Sequence, residues 1–378
     1  MTKFLIVYDQ INNTIEVNLA AIKEIFDKDD IFSRCKLSNQ VTELDLNWCD
    51  ACYAIRPSSI NALRIAKTLK SSNRFFVSLF DDDLLNISKT SSLYWRVKYM
   101  TRCLRLSDYV VTGNPEIIKA YKEISPESHF VLSKAYVQNK DILPVQDVSD
   151  KIKLVYCAGR DHTELFETFI LPSLDDVLAL DKNIELHLMG VEPNLANVSH
   201  RVQIIIHPTR TYEEYKDFMR EGHFDIGLAP LHDDTFSNRK YFRKYIDYAE
   251  FGVLGLYSNC MPYTFVVKDG FNGIMVENSV QAWSEALSKA VKNISSLKAL
   301  VNNSQDHLRA DFSLDAVKRA FWNELGDILN TKRNEIEVSF NCGLFTKVVY
   351  GYLVNYHRLK AHVISDGVWG TIRQLLAR

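Results

Sequence analysis

Between Asn238 and Gly252 the chain reads NRKYFRKYIDYAEFG, a stretch that separates charge from apolar bulk when wound as a helix. At about 100° per residue, Lys240, Lys244 and Asp247 fall within roughly 60° of one another, and Phe242, Tyr245, Ile246 and Ala249 form the opposite, core-facing side. Asn238 stands where an N-cap would. Two cations near a helix start, together with the unpaired amides there, suit a diphosphate; a carboxylate one turn further on suits the paired hydroxyls of a ribose. That is the pattern of a nucleotide-sugar site. The alternative is a solvated helix face on which Lys244 and Asp247 form an exposed pair worth under about 1 kcal/mol.

Other residues carry weaker signals. Asp81, Asp82 and Asp83 follow an apolar run, so they stand at the carboxyl end of a strand, where an acid such as Asp82 can orient an acceptor hydroxyl or take its proton; a turn-capping cluster in DDDLLNIS is the other reading. His162, two residues beyond Arg160, is placed either to donate to a phosphate oxygen or to cap a surface turn. His232, Asp233 and Asp234 make an acidic loop that solvation alone accounts for. In YWRVKYMTRCLRL, Lys98, Arg102 and Arg105 share a helical face flanked by Trp95 and Tyr99, over core positions Val97, Met100 and Leu104. That face fits either anionic lipid headgroups or plain solvent. No histidine pair has metal-ligand spacing on a helix, and no G-x-S-x-G elbow occurs.

These residues need a scaffold, and the bulk numbers bound it. A chain of 378 residues with 47% hydrophobic and 24% charged residues reads as globular and as two domains. A formal net charge of −2 argues against a general nucleic-acid binder, which needs a strongly basic surface. Lys3 is followed by the short run FLIVY and then Asp9, a first strand rather than a secretory segment, and no run of about eighteen apolar residues offers a membrane span. The expected location is therefore cytoplasmic, with association at the inner face of a membrane as an option. Seven scattered cysteines fit a reduced compartment. Cys49 and Cys52 precede the strand-like YAIRP rather than opening a helix, which favours buried thiols over a redox pair.

Apolar runs alternate with amphipathic stretches. KFLIVYD, CYAIR, FFVSLFDDD and YVVTGN alternate with helices over 18–26, 59–69, 94–106 and 115–122. Strands this apolar, separated by helices, form a parallel sheet covered on both faces. After an Asp-rich linker over 138–151 the pattern restarts with KLVYCAG, IELHLMG, VQIII, FDIGLAPL, LGLYSN and GIMVEN. The fold class expected is α/β, two doubly wound Rossmann-like domains facing a central cleft, with ligands at the carboxyl ends of the strands. The expected boundaries are 1–145, 151–325 and a helical tail over 326–378 that packs back on the first domain.

The second half resembles the GT-B glycosyltransferases of the large group 1 family, which builds bacterial polysaccharides and lipid-linked glycans from nucleotide sugars. YCAGRDHTELFE resembles that family's glycine and arginine turn, KYIDYAEFG its acidic helix and following glycine, and VVKDGFNGIMV its loop before the last strand. The resemblance covers about Lys153 to Ala290; in the first half it rests on the strand and helix rhythm and on FDDDLL. It implies a retaining transferase in which Arg160, Lys240 and Lys244 stabilise the departing diphosphate and Gly159 lets backbone approach the phosphates. It further implies that Asp247 binds the ribose and that the loop from His207 to Tyr212 holds the base, with Tyr212 stacking on it. The implied partners are a nucleoside diphosphate sugar and a saccharide or lipid-linked saccharide acceptor, without nucleic acid and without an obligatory cofactor or metal. Two departures stand out: Arg239 occupies the place of the family's first glutamate, and His162 and Thr163 stand where a lysine is common. Arg239 keeps a second class open, a non-catalytic GT-B-fold subunit of a glycan-assembly complex. A dinucleotide-dependent oxidoreductase lacks its G-x-G-x-x-G fingerprint after both Tyr8 and Tyr156.

Overall fold

Short strands buried on both faces organise both halves of the chain. The computed structural model describes residues 1–378 except 29, 90, 92, 147–150, 160–161, 179, 181–182, 196–202, 331–337 and 341–378. Contacts divide the chain into two units, the first comprising Met1–Ala135 together with the chain from Val317 onward, the second Tyr136–Ala316.

In the first unit β1 (Thr2–Tyr8), β2 (Ile31–Leu37), β3 (Ala51–Ile55), β4 (Phe75–Leu79), β5 (Tyr109–Thr112) and β6 (His129–Leu132) form one six-stranded sheet in the order β2-β1-β3-β4-β5-β6. Every pairing is parallel. The connecting helices are α1 (Asn13–Phe26), α2 (Glu43–Trp48), α3 (Ile60–Ser71), α4 (Val97–Leu106) and α5 (Pro115–Ile124). Alternate strand residues serve opposite faces. Leu5, Val7, Cys52 and Ala54 pack with Ala62, Ile65 and Leu69 of α3, whereas Phe4 and Tyr53 meet Phe26, Phe321 and Trp322 on the other face. Helix starts follow the capping rules: Asn12 accepts from the Ile15 amide at 3.0 Å, Ser59 from Ala62 at 3.0 Å, and Thr42 and Asp45 form a capping box. Cys49 and Cys52 are fully buried, and burial pushes the Cys52 thiol well up.

The second unit contains β7 (Lys151–Cys157), β8 (Asn183–Met189), β9 (Gln203–His207), β10 (Ile226–Ala229), β11 (Leu254–Ser258) and β12 (Ile274–Val276), in the order β12-β11-β10-β7-β8-β9. All of its pairings are parallel as well. Its helices are α6 (Thr163–Leu165), α7 (Leu174–Leu178), α8 (Tyr212–Gly222), α9 (Arg243–Glu250) and α10 (Val280–Asp311). Helices α11 (Leu314–Glu324) and α12 (Gly326–Asn330) follow. With two parallel sheets interleaved with helices, the expected α/β doubly wound class holds for both units.

The boundaries differ from the expected ones. The segment anticipated as a linker from Gln138 is stitched into the second unit: the Val137 amide donates to the Phe312 carbonyl at 2.7 Å and Leu143 to the Glu250 carbonyl at 2.8 Å. Backbone donors that leave water must find partners, and here they find them within that unit. From Val317 the chain joins the first unit, where the Trp322 indole donates to the Ile25 carbonyl at 3.1 Å. Val338 is buried there and exchanges hydrogen bonds with Asn47; the remainder of the tail from residue 341 lies outside the described residues. Among the described residues, no helix is long and apolar enough to cross a membrane.

Gly190, directly after β8, adopts φ +76°, and a Cβ built there would lie 2.2 Å from the Ala158 carbonyl oxygen. The turn after β7 can therefore close only over a residue without a side chain. Gly190→Ala is expected to lower the unfolding free energy in urea by about 2–4 kcal/mol, combining left-handed strain with the clash; an unchanged midpoint would refute the close approach.

Candidate functional site

The order of the second sheet reverses between β7 and β10, and loops leaving their carboxyl ends diverge there. A crevice at such a point is where open parallel sheets bind ligands. From β7 come Gly159, which is exposed, and His162; Arg160 lies outside the described residues. Past β10 the chain makes a short turn, Ser237–Arg239, before α9 begins at Arg243.

This start corrects the sequence reading of a helix capped by Asn238. Asp233 and Asp234 nucleate the turn instead: Asp234 accepts from the amides of Phe236 and Ser237 at 2.9 and 2.8 Å, and Asp233 accepts from the Asn238 side chain at 2.8 Å. The acidic loop is thus a capping device. Lys240 consequently precedes α9, so it shares no helical face with Lys244 and Asp247. The apolar side was read correctly, since Phe242, Tyr245, Ile246 and Ala249 are all buried. The N-cap position of α9 is Phe242, whose side chain makes no capping bond. Phe242 thus offers the first amides of α9 no side-chain cap, a feature that suits an anion there.

Lys240 nevertheless reaches the same region. Its ammonium donates to His162 Nε2 at 2.9 Å. The His162 carbonyl accepts from the Tyr156 hydroxyl at 3.0 Å, and Lys244 sits with its ammonium 5.8 Å from the centre of the Tyr156 ring. Lys240, His162 and Lys244 are thereby tied to one another through Tyr156 at the carboxyl end of β7.

Asp247 occupies a different setting from the expected exposed face. It is 3% exposed; Oδ1 accepts from Arg243 Nε at 2.6 Å and Oδ2 from the Tyr215 hydroxyl at 3.0 Å. The physical reason is helical spacing: Arg243 lies four residues before Asp247 and supplies the counter-charge that a buried carboxylate requires. Arg243 also donates to the Tyr212 hydroxyl and lies 3.8 Å from Glu250. Tyr212 has Lys216 and Arg243 over its ring at 5.1 and 5.4 Å. Arg243, Tyr215 and Glu250 are site residues that the sequence reading did not single out, although the four- and seven-residue spacings from Arg243 were a signal.

His207 ends β9 and belongs to an aromatic cluster. Its ring stacks on His187 at 5.3 Å and meets Phe218 at 4.6 Å, and burial, with His187 and Arg210 nearby, holds its pKa below the usual value.

In the first unit, the three aspartates after β4 take separate roles. Asp81 is gripped by Arg56 and by Asn18 at 2.8 Å, Asp83 is buried and accepts two bonds from Asn86, and Asp82 is half exposed with Arg56 at 3.5 Å. In α4, Lys98, Arg102 and Arg105 are exposed, but Tyr99 is buried and Trp95 packs on the core. The aromatic pair expected to flank a membrane face thus serves the interior. Among the described residues, no group of His, Cys, Asp and Glu could hold a metal ion.

No family model matches this sequence, and no curated protein matches it. Solved structures do. The Anabaena protein HepE in complex with UDP and glucose is similar with a TM-score of 0.60 at 11% identity, over 86% of this chain and 100% of that one. Sucrose-phosphate synthase from Thermosynechococcus elongatus gives 0.59 at 12% identity, over 88% and 100%. The lipopolysaccharide outer core galactosyltransferase WaaB gives 0.53 at 13% identity, over 86% and 99%. The chain has the GT-B glycosyltransferase fold.

Glu250, 5% exposed, is pushed up to about 7 from an ordinary 4.5, by burial first, with Arg243 opposing and Asp247 reinforcing. The folded state then holds this proton more tightly than the unfolded chain. Its contribution to stability is complete below about pH 4.5 and is lost as pH rises through about 7. The difference corresponds to at most about 3 kcal/mol. Glu250→Gln is expected to flatten the stability profile over that window and to raise the melting temperature at pH 8; a variant profile parallel to wild type would show that Glu250 does not titrate there.

Proposed function

We propose that this chain is a glycosyltransferase that moves a sugar from a nucleoside diphosphate donor to a saccharide or lipid-linked saccharide acceptor, with retention of configuration, in surface polysaccharide or glycan assembly. The observation that carries the reading is the grouping of Lys240, Lys244 and His162 at the carboxyl end of β7, beside the start of α9 that lacks a side-chain cap. A departing nucleoside diphosphate gains negative charge, and cations fixed beforehand where that charge grows lower the barrier. Arg160, assigned by sequence resemblance, and Gly159 complete the phosphate contacts in this reading. His207 and the loop to Tyr212 flank the base, Asp247 meets the ribose, and Asp82 faces the acceptor. With lysines and helix amides on the phosphates, no metal is required. The proposal is supported by the similarity to HepE, a protein solved with UDP and glucose. The expected setting is the cytoplasmic side of a membrane, which the exposed row of Lys98, Arg102 and Arg105 suits.

Titration of UDP, GDP, ADP, CDP and TDP into wild type and into Lys240→Ala and Lys244→Ala checks this. At least one nucleotide is expected to bind wild type, with each variant at least about tenfold weaker, about 1.4 kcal/mol. Unaltered affinity would remove that lysine from the site. Absence of both donor hydrolysis and transfer with every nucleotide sugar, alongside stable association with a partner enzyme, would replace this reading with the non-catalytic subunit.

A further inference from the structure

The first unit has its own reversal of strand order, between β1 and β3, and a pocket of about 60 Å³ lies there, lined among others by Asp9, Asn12, Arg56, Ser58, Arg96 and Met100. That volume is several times what one water needs, enough for a small ionic group but not for a whole sugar. Asp9 follows β1 and Arg56 follows β3, so both stand at the carboxyl ends of the strands that frame the reversal.

The charges around this pocket are unevenly matched. Asp9 is saturated: it accepts from the hydroxyls of Ser38, Ser58 and Ser59 and from the Ser58 amide at 2.6 Å. Arg56 is paired with Asp81 and Asp82. Arg96 is different. It is 6% exposed, its Nη1 donates to Ser58 Oγ at 3.3 Å, and its guanidinium lies 5.4 Å from the Trp95 ring. Its Nε is buried without a hydrogen-bond partner, and the carboxylate of Asp9 reaches it only indirectly, through the Ser58 hydroxyl that donates to Asp9 at 3.0 Å. A guanidinium carries five donors and never loses its proton in a protein. A buried guanidinium donor left without an acceptor carries an uncompensated desolvation cost, which an oxyanion seated in the pocket would offset. The start of the fourteen-residue α1, capped by Asn12 at the pocket wall, adds the positive end of a helix dipole.

We propose that this pocket binds an oxyanion, a phosphate or a carboxylate, clamped by Arg96 against the α1 start. The binding site stands on the geometry of the first unit alone; that the oxyanion belongs to the acceptor, making the acceptor a sugar phosphate, a lipid-linked phosphate or a uronic-type sugar, rests on the transfer reading above. An arginine fork suits either group in bidentate fashion.

The test uses the full chain, wild type and with Arg96→Met or Arg96→Lys, melted with inorganic phosphate, glucose 1-phosphate, glucuronate or uncharged methyl glucoside, and titrated with UDP in parallel. Wild type is expected to be stabilised by at least one of the three anions and not by methyl glucoside. Phosphate and glucose 1-phosphate acting alone point to a phosphate ligand, and glucuronate acting alone to a carboxylate. Arg96→Met, which removes the guanidinium while keeping most of the side-chain bulk, is expected to lose the anion response. Arg96→Lys keeps the charge but not the fork and is expected to bind at least tenfold more weakly; it carries the test if the methionine variant does not fold. Anions that leave wild type unmoved, or that stabilise the Arg96 variants as much as wild type, would overturn the proposal. UDP affinity is expected to be unchanged in the variants. Loss of UDP binding by wild type with the anion response intact would sink the donor reading and leave this one standing.

Discussion

The architecture of the second unit's candidate site depends on one ion pair, the buried Asp247 with the partly exposed Arg243. The bond joins residues of α9, but its consequences extend to α8, because Tyr215 donates to the other oxygen of the same carboxylate and Tyr212 receives a bond from the same guanidinium. Two helices that pack on the sheet are thus fixed relative to each other by four side chains sharing one pair of charges. Removing Arg243 leaves the Asp247 carboxylate buried without its counter-charge, at a cost of up to about 3–5 kcal/mol, whereas the partly exposed Arg243 is screened by solvent and loses less when Asp247 is removed. The rotational setting of α9 follows from this lock, and with it the direction of Lys244 from the first turn of the same helix. Glu250 belongs to the same group, and its burial, reinforced by the neighbouring Asp247 carboxylate, is why its proton is held so tightly.

Both units solve the problem of presenting polar groups above an apolar sheet in the same manner. Strands buried on both faces can carry no functional side chain within their length. Chemistry is therefore displaced to the residues that follow each strand: Asp9 after β1, Arg56 after β3, Asp81 after β4, Gly159 and His162 after β7. Within each unit these residues converge where the strand order reverses, because neighbouring connections there run to opposite faces of the sheet and leave a gap between them. Arg56 illustrates the local cost, since it adopts φ +47° with a full side chain, a conformation worth about 1–2 kcal/mol of strain. Its bonds to Asp81 and Asp82 hold it there.

The six strands of the second sheet are all visible in the sequence, because each is a short apolar run bounded by glycine, proline or polar residues. In the first sheet β2 and the four-residue β6 are not. IFSRCKL occupies an edge, buries its first residue and leaves the next three exposed, so no apolar run betrays it. Helix α2 escapes for a related reason: six residues are too few to establish a 3.6-residue period, and only its capping box T-x-x-D was available as a sign. The start of α9 was misplaced because Asn238 has the composition of a cap, whereas the acceptors that organise that turn belong to Asp233 and Asp234, upstream of it. The residues of the two candidate sites divide along the same line. His162, Lys240 and Lys244 were legible from their types and order. Arg96, Asp9 and Arg243 were not, because their significance lies in which partners they have or lack, and partners come from segments distant in sequence.

Asp247 shows how far spacing alone can carry a role. A carboxylate at that position in the chain, one turn beyond cations, has the right chemistry for a pair of hydroxyls, yet both of its oxygens are already engaged by Arg243 and Tyr215. A carboxylate has about four lone-pair sites, so two bonds do not exhaust its capacity. Charge-assisted bonds to Arg243 also fix the orientation of the remaining lone pairs before any ligand arrives, which removes the entropic cost of ordering a flexible side chain on binding. In the transfer reading, the burial that hid Asp247 from an exposed-face analysis is what makes it a rigid acceptor.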